Sequence, residues 1–203
     1  MSKSKRNKTG EITTPFEVVS GKVRVTDPCY DIDTWCAASV ENVKNGKWNA
    51  YVRKTDQGEW GERCSELFVW HADYEKDEVF GKITYEAKGN DRVLEYKSGG
   101  MKSVEISSEI GVDSGQAGVF DSKFYKDDKS IEGVERSGES EIICEDEPWY
   151  SICCDKTLGE QGWGTIPYGA ISRSGYGDGG YDAFKCLNSK REVVGIRIVF
   201  IRI

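Results

Sequence analysis

The C-terminal segment, residues 192–203, constrains the fold more than any other part of the chain. It alternates like a strand, yet both of its faces are apolar. One face carries Val194, Ile196, Ile198 and Phe200, and the other carries Val193, Val199, Ile201 and Ile203, interrupted by Gly195 and Arg197. A strand that is apolar on both faces belongs in the middle of a sheet or sandwich. The sequence therefore predicts a central strand here, with other strands on either side.

Short strand-like segments separated by Gly-rich turns recur along the rest of the chain. We predict strands at residues 16–19, 22–26, 46–54, 67–71, 79–87, 92–96, 104–113, 117–120, 149–154, 168–173 and 181–187. A short helix is expected near residues 33–37, with Asp33 or Thr34 as its cap. The abundant aromatic and β-branched residues also favour strands. The predicted fold class is mainly β: a single-domain β-sandwich or curled antiparallel sheet with one or two short helices.

The length of 203 residues suits one domain with its own core. We predict a disordered basic leader at residues 1–14, a single β-rich domain at 15–203, and within it an acidic loop near 123–147. The first ten residues carry four basic side chains and no acid, so the remainder has a net charge of −7 − 4 = −11. Such an acidic body makes nucleic acid an unexpected partner, because phosphate contacts need clustered Lys and Arg.

Targeting and metal-binding signals are weak. No apolar stretch approaches the ~18 residues of a membrane span, and no secretory signal is recognisable, so we expect a cytoplasmic location. Seven cysteines accompany a single histidine, His71, and none of them forms a CxxC pair. A structural zinc site is therefore not expected, and most thiols should be small core residues.

Three segments rich in Gly and Asp lie at predicted strand ends, at residues 25–30, 111–121 and 172–182. Their candidate ligand-binding residues are Asp27, Tyr30, Asp113, Ser114, Gln116, Asp121, Ser174, Tyr176, Asp178 and Tyr181. Glycines let a ligand approach the backbone, whose free N–H groups can hold an anion, and tyrosines can stack on a base or sugar. The same residue types also form ordinary turns, so turn formation alone is an alternative for each segment.

Several of these segments resemble an uncharacterised family found in bacteria and their phages. The resemblance lies in VDSGQAGVFD, in SGYGDGGYDAFKCLNSKREVVGIRIVFI, and in the earlier SGKVRVTDPCY and NGKWNAYV. It implies a prokaryotic or phage source and a compact β fold, and it assigns no activity. Carried over residue by residue, the family pattern falls on Asp27, Asp113, Gly115, Gly118, Asp121, Gly177, Asp178, Gly179 and Tyr181.

Three functions are compatible with this sequence. The first, which we favour over an enzyme, is a binding module for a small polar or nucleotide-like ligand, which a phage would use against a host factor. The second is a metal-dependent hydrolase in which Asp27, Asp113 and Asp178 hold Mg²⁺ or Ca²⁺. The third is a protein-interaction role for the acidic residues 132–147 together with Trp60 and Trp163, which are predicted to lie in loops. A hydrolase using Cys29 and His71 is less consistent with the sequence. Activation of the Cys29 thiol needs a nearby base or a helix N-terminus, and the single imidazole, His71, ends a core-like strand.

Overall fold

The computed structural model describes residues 5–6, 12–88, 92–106, 109–136 and 147–202, with side chains from residue 15 onward except those of residues 87–93. The elements of this part are β1 (Lys5–Arg6), β2 (Ile12–Val18), β3 (Lys22–Thr26), β4 (Ala38–Glu41), β5 (Gly46–Asp56), β6 (Glu62–His71), α1 (Lys76–Phe80), β7 (Lys82–Lys88), β8 (Arg92–Ser98), β9 (Lys102–Glu105), β10 (Ile110–Val112), β11 (Gln116–Asp121), α2 (Pro148–Leu158), β12 (Trp163–Ile166), β13 (Gly169–Arg173), β14 (Gly179–Leu187) and β15 (Val193–Val199).

Two antiparallel sheets form the body of the protein. The large sheet has the order β1-β2-β5-β6-β15-β14-β10, with β9 also paired to β14, and the small sheet has the order β12-β13-β11-β3-β4. Their inner faces share one apolar cluster, which includes Trp48, Leu67 and Ile196 from the large sheet and Val25 and Val119 from the small one. The predicted mainly β class is confirmed, and its form is a sandwich of two packed sheets.

Strand β15 lies between β6 and β14, and all seven of its residues are buried. Both interruptions of its apolar pattern have a packing role. A Cβ on Gly195 would lie 2.4 Å from Val79, so the glycine makes room for α1. Arg197 is buried beside Glu66 of β6, with which it forms an ion pair. The predicted central strand is therefore confirmed.

Helix α2 replaces the strand predicted at residues 149–154, so that prediction was wrong. Pro148 occupies the first turn, where its missing N–H is tolerated. Most side chains of α2 are buried, among them Trp149, Ser151, Ile152 and Cys153. The helix therefore has no polar face, and its sequence does not show the alternation of apolar and polar residues every 3.6 positions that identifies an amphipathic helix. With residues 128–131 it covers the outer face of the small sheet, in a second apolar cluster.

Two further predictions near helices were also wrong. The segment predicted as a helix at residues 33–37 forms isolated turns, in which the Thr34 and Ala37 amides donate to the Asp31 and Thr34 carbonyls. Val79, predicted to begin a strand, lies instead in α1. In both places the sequence offers too few residues for periodicity to decide between structures.

The hairpin of β7 and β8, called the arm below, packs on the outer face of the large sheet. Its two strands pair only with each other in the described part of the chain. Tyr85 and Glu95 lie opposite each other on the arm, and both contact charged groups of the large sheet. Tyr85 donates a hydrogen bond of 2.7 Å to Glu66, and Arg197 donates one of 2.8 Å to Glu95. Charged and polar contacts thus contribute much of the attachment of the arm.

Parts of the predicted leader and acidic loop fall outside the described residues. Within the leader, Lys5–Arg6 forms β1 and β2 begins at Ile12. The described part of the acidic loop, residues 123–136, contains a 3-10 turn at Asp128–Ile131 and buries Tyr125, whereas residues 137–146 lie outside the description. No helix among the described residues combines the length and apolar character that crossing a membrane requires.

Candidate functional site

Four of the described loops lie at one end of the sandwich: residues 27–37, 57–61, 113–115 and 174–178, called the loop end below. The loop at 27–37 follows β3, and the loop at 113–115 precedes its antiparallel neighbour β11. The loop at 174–178 leaves β13 of the small sheet and enters β14 of the large sheet. Tyr176 of that loop donates a hydrogen bond of 2.7 Å to Gln57 of the fourth loop. All three sequence segments singled out above therefore contribute to this end.

Asp27 is the anchor that joins two of these loops. Its side chain is fully buried, and its Oδ2 accepts hydrogen bonds from the backbone amides of Asp113 at 2.9 Å and Ser114 at 2.7 Å. Its Oδ1 accepts from the Ser114 hydroxyl at 2.6 Å and the Cys29 amide at 2.8 Å. The carboxylate thus occupies the amide cradle that the sequence suggested for a ligand anion.

The loop at 174–178 is fixed in a similar way. The Ser174 amide donates to the Gly115 carbonyl at 3.0 Å, and the Tyr181 hydroxyl lies 2.7 Å from the Ser174 carbonyl and 2.6 Å from that of Gly177. Gly115 has a φ of 70°, a conformation that favours glycine. Since two buried or half-buried side chains hold these loops, the loop end is preorganised.

A groove of about 540 Å³ opens between the loop at 27–37 and the paired segments at 109–113 and 179–180. Its lining residues come from 30–36, 109–113 and 179–180: Tyr30, Thr34, Trp35, Cys36, Glu109, Gly111, Val112, Asp113, Gly179 and Gly180. Trp35 is 89% exposed, so it stands on the rim with most of its surface in solvent. Glu109 lies over Gly180, where a Cβ would come within 2.7 Å of its carboxylate. The groove therefore combines aromatic walls with two exposed carboxylates.

The titration of two groups beside the groove is shifted in the same direction. Burial raises the pKa of the Tyr30 phenol well above its ordinary value, and hydrogen bonding to Cys36 and Asp113 acts in the same direction. Burial also raises the pKa of the Cys29 thiol to about 12, helped by the carboxylates of Asp27 and Asp113. Tyr30 thus remains a protonated donor at neutral pH, and Cys29 is a poor nucleophile.

Apart from Asp121, the predicted site residues divide into four groups. Tyr30 and Asp113 line the groove, and Tyr176 and Asp178 are exposed on the neighbouring loop. The hydrogen bonds that lock the loops belong to Asp27, Ser114, Ser174 and Tyr181. Gln116 is buried and accepts a hydrogen bond of 2.8 Å from Thr157 of α2, so it faces away from the groove.

Asp121 is separated from all of these residues. It ends β11, about 17 Å along the strand from Gln116 at roughly 3.4 Å per residue. Its carboxylate accepts from the amides of Val19 at 2.6 Å, Ser20 at 2.9 Å and Lys123 at 2.9 Å. Asp121 therefore fixes the turn between β2 and β3 at the opposite end of the sandwich.

Two groove residues were missed in the sequence. Trp35 was expected inside a short helix, although its polar neighbours Asp33 and Thr34 were a signal of exposure. Glu109 offered no local signal, because only the pairing of β10 with β14 brings it beside Gly180. A site formed by strand pairing between distant segments is difficult to find from spacing alone.

The residues named for the hydrolase alternatives have other contacts or lie apart. Both oxygens of Asp27 already accept protein donors, and no group of three His, Cys, Asp or Glu side chains in the described ranges is arranged to hold a metal ion. His71 ends β6, a strand of ten residues that starts at the loop end, so it lies far from Cys29.

Of the two tryptophans named for a protein-interaction role, Trp163 was expected in a loop, and this prediction was wrong because Trp163 is buried in β12.

Comparison with known proteins adds no relative. No family model matches the chain, and neither a curated protein nor a solved structure matches it. The resemblance of the Gly/Asp segments to a bacterial and phage family thus stays a prediction, and the case for a function depends on the geometry of the loop end.

Proposed function

We propose that this protein is a binding module whose groove at the loop end takes a small polar ligand carrying a positive charge. The observation that carries the proposal is the combination of an almost fully exposed Trp35 with the carboxylates of Glu109 and Asp113 along one preformed groove. Aromatic faces attract cations, and carboxylates accept hydrogen bonds from ammonium or guanidinium groups.

The charge of the groove selects the ligand class. Among the described residues that line the groove none is Lys or Arg, and the exposed carboxylates of Asp31 and Asp33 lie in the loop beside it. The amides of Asp113 and Ser114, which would otherwise suit a phosphate, already donate to Asp27. These features favour a cationic ligand over the nucleotide-like ligand that the sequence suggested.

The preorganised loops support binding of a ligand. The hydrogen bonds of Asp27 and Tyr181 fix the loops before any ligand arrives, so little conformational entropy is lost on association. The raised pKa of Cys29, in the same loop, makes that thiol a poor nucleophile at neutral pH. The residues around the groove thus serve recognition, in keeping with a binding protein.

Isothermal titration with two cationic probes, arginine amide and spermidine, tests this proposal. Trp35→Ala is expected to weaken binding at least tenfold and Asp113→Asn several-fold. Both side chains are exposed, so the fold should be unchanged in these variants. Glu41→Gln is the matched control, because it removes an exposed carboxylate at the other end of the sandwich. The proposal fails if neither probe binds, or if Trp35→Ala binds them as tightly as the unmodified protein does.

A further inference from the structure

We propose that the ligand of the groove is an extended peptide segment of a partner protein, with two points of attachment. One is a Lys or Arg side chain in the groove, and the other is a proline or apolar side chain on a second aromatic surface formed by Trp60 and Tyr176. This inference rests on the proposed function, because it identifies the molecule that would supply the positive charge.

Trp60 and Tyr176 form a built surface from two distant parts of the chain. Their ring centroids lie 6.4 Å apart with an angle of 81° between the planes. The Tyr176 hydroxyl donates to Gln57, and the Trp60 carbonyl accepts a hydrogen bond of 3.0 Å from Arg63. Nevertheless Trp60 is 67% and Tyr176 58% exposed. Large aromatic side chains that are held in place while facing solvent are typical anchors of protein interfaces.

The spacing between this pair and the groove suits a peptide. Gly179 lines the groove and is three residues after Tyr176, so their Cα atoms are at most about 11 Å apart at 3.8 Å per residue. An extended peptide advances about 3.3 Å per residue. A segment of roughly three to five residues therefore reaches from the groove to the aromatic pair, whereas a single small cation contacts only the groove.

Charge complementarity favours a basic peptide over an oligosaccharide or a nucleic acid. Exposed carboxylates surround the two surfaces: Asp31, Asp33, Glu59, Glu109, Asp113 and Asp178. Lys126 neutralises part of this charge by pairing with Asp31 at 3.2 Å. The remaining negative field attracts Lys and Arg side chains, repels phosphates and gives a neutral sugar no electrostatic advantage. A protein segment with one basic and one apolar side chain matches both surfaces.

A synthetic array of hexapeptides tests the inference by fluorescence polarisation. Each peptide carries one Arg and one Pro separated by one to four residues, and the controls are Arg-only, Pro-only and Glu-for-Arg peptides and a neutral hexasaccharide. We expect one spacing to bind at least tenfold more tightly than the Arg-only peptide. In Trp60→Ala this gain should disappear while Arg-only binding is unchanged. Trp60→Phe, which keeps an aromatic ring in the 57–61 turn, should retain part of the gain.

Failure of this inference can be separated from failure of the proposed function. If the two-residue peptides bind no more tightly than the Arg-only peptide, or if Trp60→Ala keeps the gain, the second attachment is wrong. Stronger binding of the hexasaccharide than of any peptide would also overturn it. If the second attachment is wrong but Trp35→Ala no longer binds the Arg-only peptide, the proposed function of the groove as a site for a cation is still supported. Thermal unfolding of each variant confirms that the protein tested is folded.

Discussion

Asp27 is the residue on which the geometry of the groove depends most. It is a fully buried carboxylate whose oxygens accept four hydrogen bonds, three of them from the segment that carries Asp113 and Ser114. Asp27→Asn would direct an amide N–H₂ at groups that are themselves donors. We expect the free energy of unfolding to fall by about 2–4 kcal/mol, because buried donors lose a charged acceptor. Urea denaturation measures this loss.

The control for this prediction is Asp178→Asn in the same end of the molecule. Asp178 is exposed, and exposed substitutions away from special contacts usually change stability by less than about 0.5 kcal/mol. An equal effect of the two substitutions would show that Asp27 is not an anchor.

Cys29 gives a prediction of pH dependence at the same scale. Burial and the neighbouring carboxylates of Asp27 and Asp113 raise the pKa of its thiol to about 12 from an ordinary value of 9.0. The thiolate is the reactive form, so raising the pKa lowers the thiolate fraction at neutral pH, here by about a thousandfold. Alkylation of Cys29 by iodoacetamide, followed by peptide mapping, should accelerate about tenfold per pH unit up to pH 10 without levelling off.

The same measurement in urea provides the reference for Cys29. In the unfolded chain the alkylation rate should level off near the ordinary pKa of a thiol. A plateau below pH 9 in the folded protein would mean that the thiol is activated, and a nucleophilic role for Cys29 would then deserve a new test.

At the scale of elements, the arm is attached to the large sheet through Glu95 and Tyr85. Burial alone raises the pKa of Glu95, but the hydrogen bond and charge of Arg197 outweigh it and bring the pKa below its ordinary value of 4.5. The Glu95–Arg197 pair therefore stabilises the attachment above about pH 4.5, and this contribution is lost as the pH falls through the lowered pKa. Glu95→Gln imitates the protonated form and should loosen the arm at neutral pH.

Amide hydrogen exchange tests the attachment of the arm. In Glu95→Gln, exchange at residues 82–86 and 94–98 should accelerate about five- to tenfold, since a charge-assisted hydrogen bond contributes about 1–1.5 kcal/mol, while β5 and β15 stay protected. Glu86→Gln is the control on the same arm, because Glu86 is exposed. Unchanged exchange in Glu95→Gln would show that apolar contacts hold the arm without the ion pair.

The elements predicted from sequence were strands whose pattern of apolar residues is set by the sheet faces that they bury. Strand β15 was predicted with its central position, since residues apolar on both faces leave no other place for it. Helix α2 was missed because it is buried on all sides and shows no period of 3.6 residues. The three Gly/Asp segments that contribute to the loop end were singled out in the sequence, but Glu109 was not, because a pairing between β10 and β14 creates its position.

At the scale of the whole molecule, the body of the chain and the loop end are both acidic. The net charge is −7, and without the basic first ten residues it is −11. Exposed carboxylates cluster around the groove, so the field of the body and the local charges act together on an approaching cation. The groove should therefore bind through long-range attraction as well as through direct contact with Trp35.

A higher salt concentration should weaken the electrostatic attraction of the groove for a cation and leave the aromatic contact largely unchanged, so the two contributions can be measured separately. The Debye length falls from about 14 Å at 0.05 M to about 4 Å at 0.5 M ionic strength, which screens exposed charges and leaves stacking largely unaffected. We expect the Kd of spermidine to rise about tenfold over this range. Titration of Asp113→Asn should give a shallower salt dependence, and Trp35→Ala should give weaker binding with the original dependence. A Kd independent of salt would mean that the carboxylates of the groove do not select the ligand, and the cationic ligand class would have to be abandoned.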